Sequence, residues 1–420
     1  MTTPSRRFRA GSRGTALLIT AAIALSTIFA TSAEADDCDQ ACQIDWAWAA
    51  QQQNTLPRTD LYEVPNPLPP APTGTLIKQE TTSAYEVEGQ AVEGIRVLYH
   101  SRTSTGQDIA ASGVILLPEG VKHPKVVVDA HGSSGIGADC APSLMKDLYH
   151  GNQMMQFVEQ GYAVVAPDYA GLGTDGRPQF LDKAAQAQDI VGALRAARQA
   201  VPELSRAWVL WGHSQGGGAA LGFAERQVRR PEPGYLGAIV TSPAADLTTL
   251  VDHLDTTPSY GGFVAVIAQG AGFSDPRITP SRLLTEAAAD RIDVTGTGCL
   301  NVDLAVYGDL TGDQLTRPGY LDDPYFAAYL ADNSLGEHRV AGPVLFLQGE
   351  ADTVVPRQTS DEVAASLCRL GSHLDYRVLP GLEHDTWGGS TGIDDGAMPE
   401  ILTWIRDRFD RKPATTTCAR

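Results

Sequence analysis

The sequence predicts an α/β protein whose mainly parallel sheet is covered by helices on both faces, with a helical cap inserted late in the chain. Three observations carry this. From Gly94 onward short apolar runs alternate with helix-like segments, the pattern of strand–helix–strand crossovers rather than of hairpins. The alternation stops between Pro243 and Gly342, a gap that suits a cap over the carboxyl edge of the sheet. Finally, Trp208 to Gly217 carries an apolar strand directly into a glycine-flanked serine and then a helix.

Taken in order, residues 1–35 place Arg6, Arg7, Arg9 and Arg13 before the apolar run Thr15 to Ala30 and the small-residue pattern Ala33-Glu34-Ala35. That is the layout of a secretory signal peptide, too short to anchor in a membrane. Residues 36–74 contain Gln51-Gln52-Gln53 and the Pro-rich run Val64 to Pro72, which suit an extended arm. The core is expected in 75–242 and 342–412. Its strands are Ile95 to Tyr99, Ala110 to Leu117, Val126 to Ala130, Tyr162 to Ala166, Ala207 to Trp211, Leu236 to Thr241, Val344 to Leu347 and Tyr376 to Leu379. Helices are expected at Lys183 to Ala200 and Gly217 to Arg230. The cap, 243–341, holds the apolar stretch Gly261 to Phe273, readable as a buried cap helix or as a lid touching substrate. Residues 413–420 form a tail.

The formal net charge of −18 grows more negative when the arginine-rich leader is removed, which argues against nucleic acid and anionic membranes as partners. No later segment approaches spanning length, so no integral membrane association is expected. Cys38, Cys42, Cys140, Cys299, Cys368 and Cys418 are an even set in an exported chain and imply disulfides, with connectivity left open. Zinc-type ligand spacing is missing, and no metal or organic cofactor is expected.

The chemistry centres on Ser214 in Gly212-His213-Ser214-Gln215-Gly216. Strand, sharp turn and helix make a nucleophile elbow, presenting the hydroxyl at a helix N-terminus. A second match around Ser390 follows no apolar strand and leads into the loop-like Ile393-Asp394-Asp395-Gly396, so Ser390 reads as an ordinary loop serine. A serine nucleophile needs a base, and the base needs an acid to fix its tautomer. Asp352 follows the strand Val344 to Leu347, with Glu350 as the alternative acid. His384 follows the last strand and is the expected base. His373 precedes that strand, at the wrong sheet end; His213 occupies the variable position of the elbow; His131 belongs to a His-Gly loop after Val126 to Ala130. That loop is expected to supply one oxyanion N–H, from Ser133 first and Ser134 second, while Gln215 supplies the other.

With Gly161 to Gly173, Cys140-Ala141-Pro142-Ser143 and the surroundings of Ser214, Asp352 and His384, the chain resembles the α/β-hydrolase superfamily from Gly94 to Asp410. More closely it resembles the secretory lipase family of the fungal lipase A type. The resemblance implies an α/β-hydrolase fold with a cap inserted after Ser242. It also implies hydrolysis of acyl glycerols or other small lipophilic esters through an acyl-enzyme, without a cofactor. It further implies that Cys140 pairs with Cys299; on that basis Cys368 is taken with Cys418 and Cys38 with Cys42. Asp168 and Tyr169 match a structural turn of the family. The alternatives are a serine peptidase of the same fold, whose cap acids would be Asp246, Asp252 and Asp255, and a non-catalytic binding module. Intact Ser214, Asp352 and His384 speak against the module.

Overall fold

The computed structural model describes residues 38–387 and 389–418, so the signal-peptide reading of residues 1–35 lies outside the described residues. The first helix, α1, spans Gln40–Asn54. Three antiparallel strands follow, β1 (Leu76–Val87), β2 (Gln90–Arg102) and β3 (Asp108–Leu116). The crossovers then begin: β4 (Val126–Ala130), α2 (Gly151–Glu159), β5 (Ala163–Pro167), α3 (Lys183–Ala200), β6 (Trp208–His213), α4 (Gln215–Arg229) and β7 (Tyr235–Thr241). The insertion carries α5 (Leu247–Thr256), α6 (Gly261–Ser274), α7 (Leu300–Tyr307) and α8 (Pro324–Asn333). The sheet resumes with β8 (Val344–Gly349), α9 (Arg357–Arg369), β9 (Leu374–Leu379) and α10 (Met398–Phe409).

The strands form one sheet in the order β1-β2-β3-β5-β4-β6-β7-β8-β9, parallel from β5 onward. β4, β5, β6 and β8 are buried along their whole length, as strands covered on both faces must be. Their side chains divide by the two-residue period of a strand. Val126, Val128 and Ala130 join the apolar cluster under α3, α4 and α9, while Val127 faces the opposite cluster with Phe157 of α2 and Ile401 of α10. Chain order reverses on either side of β4, and at such a switch point the loops after β4 and β6 part and open a crevice at the carboxyl edge.

Two elements differ from expectation. Within 36–74, Gln40–Asn54 is a helix rather than extended, while Val64 to Pro72 does lack regular structure. α1 buries no residue completely and has no apolar stripe, so its sequence lacks the usual signal. It is held from outside: Gln51 Nε2 donates to Thr297 O at 2.8 Å and Gln51 Oε1 accepts from Cys299 N at 2.7 Å. β1 is an edge strand with mostly polar residues, buried only near Tyr85 and Val87, and it escapes a search for apolar runs.

The inserted helices share an apolar cluster with Ile136, Phe180 and Val354 from the loops of the sheet, and Val264 and Ile267 of α6 are buried in it. The stretch Gly261 to Phe273 is thus a buried cap helix. Cys140–Cys299 ties the loop after β4 to the start of α7, and Cys368–Cys418 ties α9 to the C-terminal tail; the first is the pairing the family resemblance implies, the second the one left by elimination, and none of the described cysteines is free. Among the described residues no helix is long and apolar enough to cross a membrane.

Candidate active site

Ser214 stands between β6 and α4 with φ +56° and ψ −120°, a conformation L-residues seldom adopt. Two glycines make the turn possible. A Cβ on Gly212 would lie 2.2 Å from Gly216 O, and one on Gly216 would lie 1.7 Å from Ala130 O. Both obstacles are backbone, so neither can swing aside. The turn is fastened by Ser214 N donating to Thr241 O at 3.0 Å and by Ser214 O accepting from Ala244 N and Gly218 N.

The structure brings Ser214, His384 and Asp352 into one line. His384 Nε2 is 2.9 Å from Ser214 Oγ, and His384 Nδ1 is 2.9 Å from Asp352 Oδ2. Asp352 follows β8, and its Oδ1 accepts the N–H groups of Val354 and Val355 while Oδ2 also accepts from Gln348 Nε2. Burial pushes the His384 pKa down, but the charge and hydrogen bond of Asp352 outweigh it and hold it above the ordinary histidine value. Burial likewise acts to raise Asp352, yet His384 keeps its carboxyl below the usual carboxylate range, so it stays ionised. With Asp352 ionised, the N–H of a neutral His384 sits on Nδ1 and the lone pair of Nε2 faces the serine.

One residue missed by sequence reasoning joins the two loops. Glu383 Oε2 accepts from His384 N at 2.8 Å and from Thr353 N at 3.0 Å, bridging the base loop to the acid loop. The cap touches the same place, through Tyr260 Oη at 2.8 Å from Thr353 Oγ1 and His253 Nε2 donating to Thr353 O at 2.8 Å.

Ser133 and Ser134 lie in the loop after β4, both buried. Among the described residues the N–H groups of Ser133 and Gln215 have no protein acceptor, and that of Gln215 opens α4. A Tyr-His pair braces this loop: Tyr149 Oη donates to Ser133 O at 2.5 Å, and His150 Nε2 accepts from Gly132 N at 3.4 Å. His150 Nδ1 then donates to the buried Asp129 at 3.2 Å. Nothing local in Leu148-Tyr149-His150 announces that role, since its targets lie far back in the chain. Leu148 and Tyr149 both have positive φ, backbone strain stored beside the loop they brace.

The rejected candidates are elsewhere or otherwise engaged. Ser390 Oγ donates to Trp387 O, and the segment after it forms the short helix Ile393–Gly396 rather than a loop. Glu350 is exposed, 3.9 Å from Arg357. His373 bonds Thr415 O at the opposite sheet end. Burial pushes the His131 pKa down to about 4, leaving a neutral ring between Gly132 O and Asp168 O. Asp168 itself is buried on the hydroxyls of Ser112 and Ser143. His213 Nε2 donates to His384 O at 3.1 Å; its ring, Asp385 and Asp394 are the one group of metal-ligating type found among the described residues. Of the cap acids, Asp246 caps α5 and Asp255 bonds the Thr316 hydroxyl in the cap interior.

A largely parallel sheet with a serine at a strand–helix elbow, faced by a histidine and an aspartate from the last two strand ends, defines an α/β-hydrolase. The sequence pattern described as secretory lipase matches residues 149–417, more than half of the chain, which therefore belongs to the secretory lipase family and is a carboxylic-ester hydrolase. Lipase 5 of Candida albicans is 26% identical over 402 residues, covering 87% of this chain and 83% of that protein. A secreted triacylglycerol lipase of Malassezia globosa is 23% identical over 363 residues, covering 78% and 73%. Among solved structures, Candida antarctica lipase A superposes with a TM-score of 0.75 at 17% identity, covering 87% of this chain and 89% of that one, a likeness of fold.

Proposed function

We propose that the protein is a secreted lipase or esterase that cleaves acyl glycerols or other lipophilic esters by a Ser214–His384–Asp352 mechanism. The observation that carries the reading is the unbroken relay at the elbow, 2.9 Å from serine to histidine and 2.9 Å from histidine to aspartate. His384 Nε2 takes the Ser214 proton as Oγ attacks the ester carbonyl, and Asp352 stabilises the imidazolium. The tetrahedral oxyanion rests on the N–H groups of Ser133 and Gln215, each such donor contributing about 3 kcal/mol. The alkoxide leaves with the proton from His384, and water activated by the same ring releases the acid from the acyl-enzyme. Export is supported by the N-terminal sequence pattern, by the disulfides and by the secreted relative.

Of the three cap acids Asp246 and Asp255 are already bonded within the cap while Asp252 is exposed, and the preference for ester over peptide chemistry rests on the lipase relatives. The test pairs an active-serine phosphonate with p-nitrophenyl esters and aminoacyl anilides. Ser214→Ala should abolish labelling and lower ester hydrolysis by several orders of magnitude, whereas Ser390→Ala should retain both. Labelling that survives Ser214→Ala, or anilides cleaved faster than esters, would overturn the assignment.

A further inference from the structure

We propose that a cleft on the flank of the molecule, lined by α3, α4 and the segment that follows α8, binds a phosphate ester. Its volume is about 680 Å³, and Lys183, Arg226, Arg229, Arg230 and Arg339 line it. Only two carboxylates, Glu225 and Asp332, share the lining. This gathering of cations occurs in a chain with a net charge of −18.

The arginines have not been neutralised from within. Among the described residues none of Arg226, Arg229, Arg230 and Arg339 forms an ion pair, whereas Lys183 Nζ is 3.4 Å from Glu225 Oε2. Glu232, the next acid on that side, is taken by Arg195 at 2.6 Å. Among the described residues Arg226 Nε is buried without a partner, and the one bond of that side chain runs from Nη1 to Arg230 O. Cations in the last turn of α4 suit the helix dipole. That accounts for Arg226 and Arg229, which nevertheless repel Arg230 and each other at helical spacing, and it does not account for Lys183 and Arg339 arriving from other elements.

The arrangement selects the ligand's chemistry. A carboxylate offers two oxygens, enough for one guanidinium fork, whereas a phosphate monoester brings three acceptor oxygens and up to about two charges, enough for several. The cleft is also larger than an inorganic anion needs. Ala184, Ala187 and the exposed Val228 give it an apolar wall along which an ester substituent would lie. Lys183 donates from its N–H to Asn333 and from Nζ to Ser334 O, so the ligand would sit where the cap rejoins the sheet.

The site is independent of the chemistry at Ser214, and its test separates the two. Inorganic phosphate binding is measured by calorimetry at constant ionic strength, and co-sedimentation is measured with vesicles containing phosphatidic acid and with vesicles of phosphatidylcholine alone. Proteins compared are the unaltered chain, Arg226→Gln/Arg230→Gln and, as a milder change in an exposed loop, Arg339→Gln. Phosphate affinity should fall roughly tenfold in the double variant and in the same direction in Arg339→Gln, with p-nitrophenyl butyrate hydrolysis unchanged in all three. Phosphate binding without vesicle binding assigns the cleft to a soluble phosphate rather than a lipid headgroup. Phosphatidic acid binding that is lost in the variants identifies a lipid headgroup. Neither probe binding, or equal binding by the variants, would overturn the proposal.

Discussion

Replacing Asp352 by Asn tests the relay without changing its shape. Asp352 Oδ1 is held by the N–H groups of Val354 and Val355 at 3.0 and 2.8 Å, so the amide oxygen of asparagine would keep that place. The NH₂ would then occupy the position of Oδ2, which is 2.9 Å from His384 Nδ1. An NH₂ there can only donate, and His384 must present a lone pair at Nδ1 and carry its hydrogen on Nε2. That hydrogen points at Ser214 Oγ, 2.9 Å away, and the serine proton has nowhere to go. The expected loss is about 10⁴ in kcat, on the order of 5 kcal/mol of barrier, with KM little changed. The pH profile adds a second reading. The working form of His384 is neutral, and its pKa is held above the ordinary value chiefly by Asp352, so kcat/KM should rise on an acid limb above about pH 6.5. In Asp352→Asn that support is gone while burial still favours the neutral ring, and the residual rate should have its limb at lower pH. The assay is p-nitrophenyl butyrate hydrolysis from pH 5 to 10, with Glu350→Gln as a control that leaves the rate unchanged. A kcat within tenfold of the unaltered enzyme, or an acid limb that does not move, would refute the role given to Asp352.

Two further outcomes bear on the elbow and the cap. Gly216→Ala drives a Cβ to 1.7 Å from Ala130 O and should cost more than about 4 kcal/mol or prevent folding, whereas Gly381→Ala, with φ +72° and open space around it, should cost about 1 to 2 kcal/mol in urea unfolding; equal costs would sink the close-approach argument. Val264→Asp places a charge in the interior of the cap, where Val264 is 2% exposed, and should lower the melting temperature and the rates on acetate and octanoate esters together. Loss confined to octanoate would instead put α6 against the acyl chain.

The parts of this architecture that were legible in the sequence are those whose signal is local. Ser214, Asp352 and His384 each stand just beyond an apolar strand, and a strand end in a parallel sheet fixes a residue at the carboxyl edge whatever else the chain does. Local patterns fail where a residue acts on something distant. Glu383 reads as one more charged loop residue until the Thr353 N–H arrives from the loop after β8. Tyr149 and His150 brace a loop preceding them by most of a crossover. α1 and β1 went unseen for a related reason, because each is half in solvent and is held by hydrogen bonds rather than by an apolar face.

The bridge Cys140–Cys299 closes a loop of 159 residues and lands beside a second fastening, Gly135 paired with Cys299 and Leu300 N donating to Ser134 O at 3.1 Å. The start of α7 and the wall behind Ser133 therefore move as a single plate. The rest of the cap reaches the core through non-covalent contacts, among them the hydrogen bonds of His253 and Tyr260 with Thr353 and of Lys183 with Asn333 and Ser334. The seam also constrains the unfolded chain, so reducing this bridge should loosen the wall behind Ser133 and the cap together and lower stability by roughly 2 to 5 kcal/mol.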